Sequence, residues 1–397
     1  MKIVMFYHSL YSDWNHGNAH FLRGIVKELQ RRGHDVDVYE PEGGWSLQNL
    51  LKDHGAEKLD EFRQYYPSLN PQFYNPAKRL NTRNILGEAD LVLVHEWNAP
   101  EFVAELGKIK KDYDFKLLFH DTHHRAVSDA SSMAKYDFSN YDGALVFGEV
   151  IRKIYEKNQW FPKVWTWHEA ADADFFTPDR DEEKEGDLVW IGNWGDGERT
   201  AELMEFLIEP VRELKLKAKV YGVRYPKEAL EALAEAGIEY GGWLPNYKVP
   251  EVFSKYKVTV HVPRKPYVEM LPGIPTIRPF EALSCGIPLV CSPWDDAEHL
   301  FTPGEDYLVA KDGNDMGYKL AEVLKCAQLA QSLSQNGRKT ILDRHTCAHR
   351  VDQLEEILEE MEVGSPKSDV EKQETEVGRP QAEEGRRETE EKLRMSS

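Results

Sequence analysis

Two stretches of this chain place charged side chains where an α/β protein does chemistry. The first is "TIRPFEALSCGIPLVCS", Thr276 to Ser292, with Arg278 and Glu281 in an otherwise apolar run. Pro279 suits the first position of a helix, where its missing amide hydrogen costs nothing. Glu281 is then expected in the first turn, where a carboxylate complements the helix macrodipole, and that alone could account for it. A carboxylate there can also accept hydrogen bonds from the vicinal hydroxyls of a ribose, while free helix amides and Arg278 could meet a diphosphate. The second stretch is "HDTHH", His120 to His124, dense in titratable groups, although paired histidines serve packing at least as often as binding.

Other strand-following loops carry fainter signals. "GNWGDGER" ends in Arg199 at the start of a helix, but matches neither the dinucleotide fingerprint nor a P-loop. "PRKPYVE" sets Arg264 and Lys265 at a strand end, and "HSLYSDWNHGN" brings Gly17 before a helix, where a phosphate or sugar could approach its backbone. His345, Cys347 and His349 cluster without an evident fourth ligand, so no metal site is expected. Asp172 and Asp174 form a DxD, which a turn in a linker explains.

The elements that must hold these residues alternate along the chain. Lys2–Tyr7 reads as a strand, and "AHFLRGIVKELQRRG" as a helix with Phe21, Leu22, Ile25, Val26 and Leu29 at helical spacing. Asp35–Tyr39 closes a βαβ unit, which predicts a parallel sheet with a right-handed crossover. Further strands are expected at Leu91–His95, Lys116–His120 and Ala144–Phe147, with residues 41–85 as an elaborated insertion. A second series follows at Leu188–Ile191, Ala218–Tyr221, Ile238–Tyr240, Val258–Val262, Pro288–Cys291 and Tyr307–Ala310. Helices are expected between them, notably Thr200–Leu214 and Lys227–Ala236, and over residues 315–362. The fold class is therefore α/β, with two facing Rossmann-like domains. The expected divisions are 1–176, 177–345, a crossover helix at 346–362 and a disordered tail at 363–397.

Composition narrows the function. A chain of 397 residues with 10 Trp, 18 Tyr and 16 Phe can fill two cores. Its formal charge of −19 argues against non-specific binding to nucleic acid or anionic lipid. Four irregularly spaced cysteines do not make a disulfide framework. No secretory signal and no run of about 18 apolar residues is present, so a cytoplasmic protein without a transmembrane segment is expected.

Taken in order, several stretches resemble GT-B glycosyltransferases, more narrowly the CgeB-like (spore maturation protein-like) members with a group 1 glycosyl transferase C-terminal domain. They are "HGNAHFLRGIVKELQRRGHDVDVYEP", "FHDTHH", "WHEAADADFFTPD", "WIGNWGDGERTAEL", "YGGWLPNYKVPEVFSKYKVTVHVPR" and "IRPFEALSCGIPLVCS", covering roughly residues 1–362. The resemblance implies a nucleoside-diphosphate sugar as donor, an unidentified acceptor, no metal and no other cofactor. It implies Glu281 on the ribose, Trp243 and Leu244 at the nucleobase, and Arg199, Arg264 and Arg278 at the diphosphate. Gly17, with Asn18 beside it, and Asn193 join the donor-binding set. His120 falls where relatives place a histidine beside the transferred sugar. If the reaction inverts configuration, a base is required, and Asp121, His123 or His124 could serve. Retaining relatives often carry a second glutamate eight positions before the ribose-binding one; here that position is Gly273. The expected activity is transfer of a sugar from such a donor in the interdomain cleft. A nucleotide-sugar 2-epimerase or a non-catalytic nucleotide-sugar-binding protein would use the same architecture.

Overall fold

The computed structural model describes residues 1–76, 78, 81–179, 183–195 and 197–363. The disordered tail expected from residue 363 lies, from 364 onward, outside the described residues. Among these residues thirteen strands make two sheets, each parallel throughout. The first sheet comprises β1 (Lys2–Phe6), β2 (Asp35–Pro41), β3 (Gln72–Tyr74), β4 (Leu91–His95), β5 (Lys116–Asp121), β6 (Gly143–Val146) and β7 (Val164–Thr166). The second comprises β8 (Gly186–Ile191), β9 (Ala218–Tyr221), β10 (Glu239–Tyr240), β11 (Tyr256–His261), β12 (Leu289–Cys291) and β13 (Leu308–Val309).

Their spatial orders are β3-β2-β1-β4-β5-β6-β7 and β10-β9-β8-β11-β12-β13. Each sheet winds outward in both directions from its first strand, so each has a switch point beside that strand, β1/β4 and β8/β11. Parallel strands covered on both faces need continuous apolar runs, and "LVLVH" of β4 is buried along its whole length. β3 and β7, each three residues long, are too short to leave a period in the sequence. The insertion at 41–85 contains helices Trp45–His54 and Glu57–Tyr65 as well as β3.

Two helices meet beside the first sheet. Ala19–Arg31 buries Phe21, Leu22, Ile25, Val26 and Leu29 as its spacing predicts, but His20, Arg23 and Gly24 on its other sides are buried too. A Cβ at Gly24 would lie 2.4 Å from Cys347 Sγ, so the close approach of the C-terminal helix requires glycine there. That helix, Cys347–Val363, meets the first sheet's layer through its opening turns. Trp167 Nε1 donates to Arg350 O at 2.7 Å, and Arg32 Nη2 to Ala348 O at 2.9 Å. Helix Thr200–Leu214 is continuous but passes through a π-helical stretch at Met204–Ile208. Contacts within the chain gather Met1–Gln353, and hence both sheets, into one compact unit.

One local expectation is corrected. Thr276 is the N-cap of helix Ile277–Ser284, so Pro279 is its third residue rather than its first. Its missing amide hydrogen is still one of those left unpaired at a helix start. Glu281 thereby falls beyond the first turn, which contains no acidic residue.

Candidate functional site

The loops that follow the strands of both sheets converge on one cavity of about 530 Å³. Behind β1 come His8, Asn15, His16, Gly17 and Asn18; behind β5, Thr122, His123 and His124; behind β8, Asn193 and Arg199. β11 and its sequel supply His261, Arg264 and Tyr267, and the start of the helix at 277 supplies Ile277 and Arg278. The cavity thus lies at the carboxyl ends of the strands of two sheets that face one another.

One wall is cationic. Arg199, Arg224, Arg264 and Arg278 all line it. Arg199 lies over the Trp190 ring, 5.1 Å from its centroid, and donates from Nη1 to Val262 O at 2.7 Å and from Nη2 to Asn193 O. Burial, with Arg264 as the next cause, lowers its pKa to about 9. An anion arriving here replaces the water that this guanidinium lacks. Arg264 pairs with Glu198 at 3.3 Å, and Arg278 with Glu281. Asn193 bridges the two lobes, accepting from Val223 N at 2.8 Å and donating to Asn15 Oδ1.

The opposite rim is aromatic. Trp45 and Trp97 line the cavity and remain 48% and 43% exposed. Trp97 packs against Arg125, whose guanidinium lies 4.8 Å from the ring centroid, and against His8 and His123. Exposed indoles at the rim of a cavity suit the apolar faces of sugar rings.

Glu281 does not face this cavity. Its exposure is 0%, and its carboxylate is held by three partners. Asn246 Nδ2 donates to Oε1 at 2.6 Å, and Arg278 Nη1 donates to Oε2. His20 Nε2 accepts the Asp172 amide at 2.7 Å, so its proton sits on Nδ1, which donates to Glu281 Oε1 at 3.0 Å. Burial alone would raise this carboxyl, but Arg278, His20 and Asn246 outweigh it and hold the pKa below its ordinary value. The expected ribose contact is therefore replaced by a buried latch: Glu281 comes from the second lobe, His20 from the first.

His120 is likewise displaced. It is fully buried among Tyr7, Phe21, His95 and Trp167, outside the cavity lining, and neither ring nitrogen has a hydrogen-bond partner among the described residues. Burial lowers its pKa to about 3. It lies on β5, whose residues are enclosed to the last, so the loop beyond it reaches the cavity and the strand does not. Asp121 also turns away from the cavity. Its Oδ2 accepts from Tyr155 OH at 2.5 Å and its Oδ1 from the His123 amide at 2.9 Å, so it shapes the loop from behind. His123 does line the cavity, its pKa lowered to about 2, chiefly by burial and then by His124 and Arg125. Asn18 lines it while donating to Thr122 Oγ1 at 2.7 Å.

Trp243 and Leu244 line a side pocket of about 70 Å³ that shares Asn15, Gly17, Asn193 and Arg278 with the main cavity. His54 from the first lobe stacks on Trp243 at 4.4 Å, taking a face that a nucleobase would use. At Gly273 the backbone has φ +86°, and a Cβ would meet Glu298 Cγ at 2.5 Å, so this chain admits no glutamate there.

The histidine–cysteine cluster has other partners: His345 Nε2 donates to Leu300 O at 2.7 Å, and His349 Nδ1 lies 2.7 Å from Thr346 Oγ1. Asp172 pairs with Lys27 at 2.6 Å. Among the described residues no group of three His, Cys, Asp or Glu is placed to hold a metal, and no helix is long and apolar enough to cross a membrane.

Several lining residues escaped the sequence reading. Trp97 in "HEWNAP" and Arg224 in "GVRYP" each follow a strand, β4 and β9, so the rule that picked the other loops applies to them too. Glu169 in "WHEAADAD" looked like linker, its one signal being a carboxylate amid tryptophan and alanine.

Two parallel, doubly wound sheets that share one arginine-lined cavity at their carboxyl ends define the GT-B architecture. Solved structures of that architecture align with almost the whole chain. A sucrose-phosphate synthase from Thermosynechococcus elongatus is 14% identical, with a TM-score of 0.61, covering 92% of this chain and 100% of its own. HepE from Anabaena, in complex with UDP and glucose, is 12% identical, with a TM-score of 0.62 over 91% and 100%. An alpha-glucosyltransferase in complex with UDP and a 13-mer DNA is 12% identical, with a TM-score of 0.65 over 90% and 99%. No curated protein sequence matches the chain. Residues 199–356, most of the second lobe with the first part of the last helix, match the family described as glycosyl transferase-like.

Proposed function

We propose that the protein transfers a sugar from a nucleoside-diphosphate sugar to an acceptor, with the donor on the arginine wall of residues 177–345 and the acceptor on the side of residues 1–176. The observation that carries this reading is the convergence of Arg199, Arg224, Arg264 and Arg278 on a single cavity that also has an aromatic rim. Departure of a nucleoside diphosphate leaves negative charge on the phosphate, and fixed guanidinium groups in a partly enclosed site stabilise it. Those four cations can take the place of a divalent metal, so activity is expected to survive a chelator. Arg278, rather than Glu281, is the group of that helix which meets the donor. The narrower likeness to CgeB-like transferases is part of the same proposal, as is uridine as the first nucleoside to test, since HepE and the alpha-glucosyltransferase were each solved with UDP.

A thermal-shift and calorimetric panel of UDP, GDP and ADP tests the reading. A ligand at 100 times its dissociation constant should stabilise the fold by about 2.7 kcal/mol. Nucleotide sugars of the stabilising nucleoside should then release nucleoside diphosphate, and product analysis separates transfer from epimerisation. A protein that binds none of the three sinks the proposal.

A further inference from the structure

Glu169 is the lone carboxylate lining the main cavity among the described residues. It is 4% exposed, and its Oε1 has no hydrogen-bond partner among them. Buried carboxylates ordinarily answer a cation or a set of amides. This one faces the same cavity as four arginines, yet Arg264 is paired with Glu198, Arg278 with Glu281, and Arg199 bonds to two carbonyls. Two of those cations, Arg264 and Arg278, thus already have carboxylate partners of their own.

The backbone that carries Glu169 is fixed on both sides. Before it, Trp167 N donates to Val146 O at 2.7 Å, and His168 O accepts from Arg350 Nε at 2.9 Å. After it, Ala171 N donates to His345 O at 2.9 Å, and Asp172 N to His20 Nε2. The backbone that carries this carboxyl, whose Oε1 has no partner among the described residues, is therefore fixed at a cavity wall, the preorganisation that a proton-transfer group needs.

We propose that Glu169 is the base that takes the proton of the acceptor hydroxyl, and that the transfer inverts the configuration of the sugar. The acceptor oxygen bonds to the anomeric carbon while the bond from that carbon to the diphosphate oxygen breaks. The bonding pair leaves with the diphosphate, beside the arginines, and the hydroxyl proton moves to the Glu169 carboxylate. This assignment rests on the transferase reading above. Burial, and then the charge of Glu281, raise the Glu169 carboxyl well above its ordinary range, which makes its ionised form a stronger base. Tyr267, from helix Lys265–Glu269, is the other titratable group that senses it.

The test uses the full chain and water as acceptor, following release of UDP from UDP-glucose, or of the nucleoside diphosphate that the binding panel selects from its own nucleotide sugar. Glu169→Gln is expected to keep nucleoside diphosphate affinity within about twofold and to lower release by about 100-fold or more, the usual scale of a general base. Glu169→Asp, which keeps a carboxyl, should retain measurable turnover, and NMR of the first glucose formed should show inversion. Release by Glu169→Gln within about threefold of wild type, or retained configuration, overturns the assignment and leaves the transferase reading standing. Wild-type protein that binds the nucleoside diphosphate but releases none from its nucleotide sugar overturns the transferase reading and this assignment with it.

Discussion

Arg278 and Glu281 are one helical turn apart and paired, yet only the arginine reaches the cavity while the carboxylate is completely enclosed. The acidic residue thus acts on any bound anion through the basic one.

That relationship makes the effects of the two residues non-additive. Arg278→Ala and Glu281→Gln should each weaken nucleoside diphosphate binding by about 1.5–3 kcal/mol, the scale of a charged hydrogen bond, while the double variant loses little more than either alone. Calorimetry on all four proteins gives the coupling, and additive losses would mean that Glu281 meets the ligand directly. Glu281→Ala should also lower stability by about 3–5 kcal/mol, because Arg278, His20 and Asn246 all lose their partner.

Arg199 should not tolerate lysine. Its guanidinium lies over Trp190 and forks to the carbonyls of Val262 and Asn193, a geometry that an ammonium cannot reproduce. Arg199→Lys is expected to lower nucleoside diphosphate affinity about tenfold despite preserving charge. Equal affinity by calorimetry would take Arg199 out of the binding wall.

His120 should be replaceable. A buried imidazole with both nitrogens unpartnered among the described residues costs about 1–3 kcal/mol, so His120→Leu should leave thermal stability equal or higher. Turnover should change by less than about threefold. A hundredfold loss in a folded variant would restore His120 to the chemistry.

Acid should destabilise the fold well before its exposed carboxylates titrate. Burial holds His8, His120, His123, His261 and His345 at about 4, 3, 2, 3 and 3. In the unfolded chain these groups take up protons near pH 6.5, so below that pH the unfolded state binds more protons and stability falls as pH drops. Each contributes at most about 1.4 kcal/mol per pH unit. Glu40 and Glu96, raised to about 7 and 8 chiefly by burial, act in the opposite sense, losing stability as pH rises from about 4.5 through those values. With Asp121, Glu169 and Asp296 also raised, and His16, His54, His95 and His124 also lowered, the histidines still outnumber the carboxyls, so the melting temperature should fall steadily from pH 6.5 to pH 5. A flat profile there would mean that these histidines are hydrated in solution.

The sequence by itself determined the alternation, and with it the architecture. Parallel strands buried on both faces must be continuous apolar runs, and "LVLVH" and "KLLFH" announce themselves for that reason. The rule that ligands meet α/β sheets beyond the strand ends picked the loops holding Gly17, His123, Arg199, Arg264 and Arg278, all of which line the cavity. Which side chain on those loops faces the cavity was decided only by the tertiary structure. One residue of phase separates His120 in the core from the loop beyond it, and one helical turn separates buried Glu281 from Arg278. Position 169 reaches the cavity because segments distant in the chain, around Val146, His20 and His345, fix the backbone on either side of it. Local pattern sets which element forms; the direction of a side chain at the meeting of two lobes depends on packing partners elsewhere in the chain, His20 and Glu281 being 261 residues apart, and no local pattern contains them.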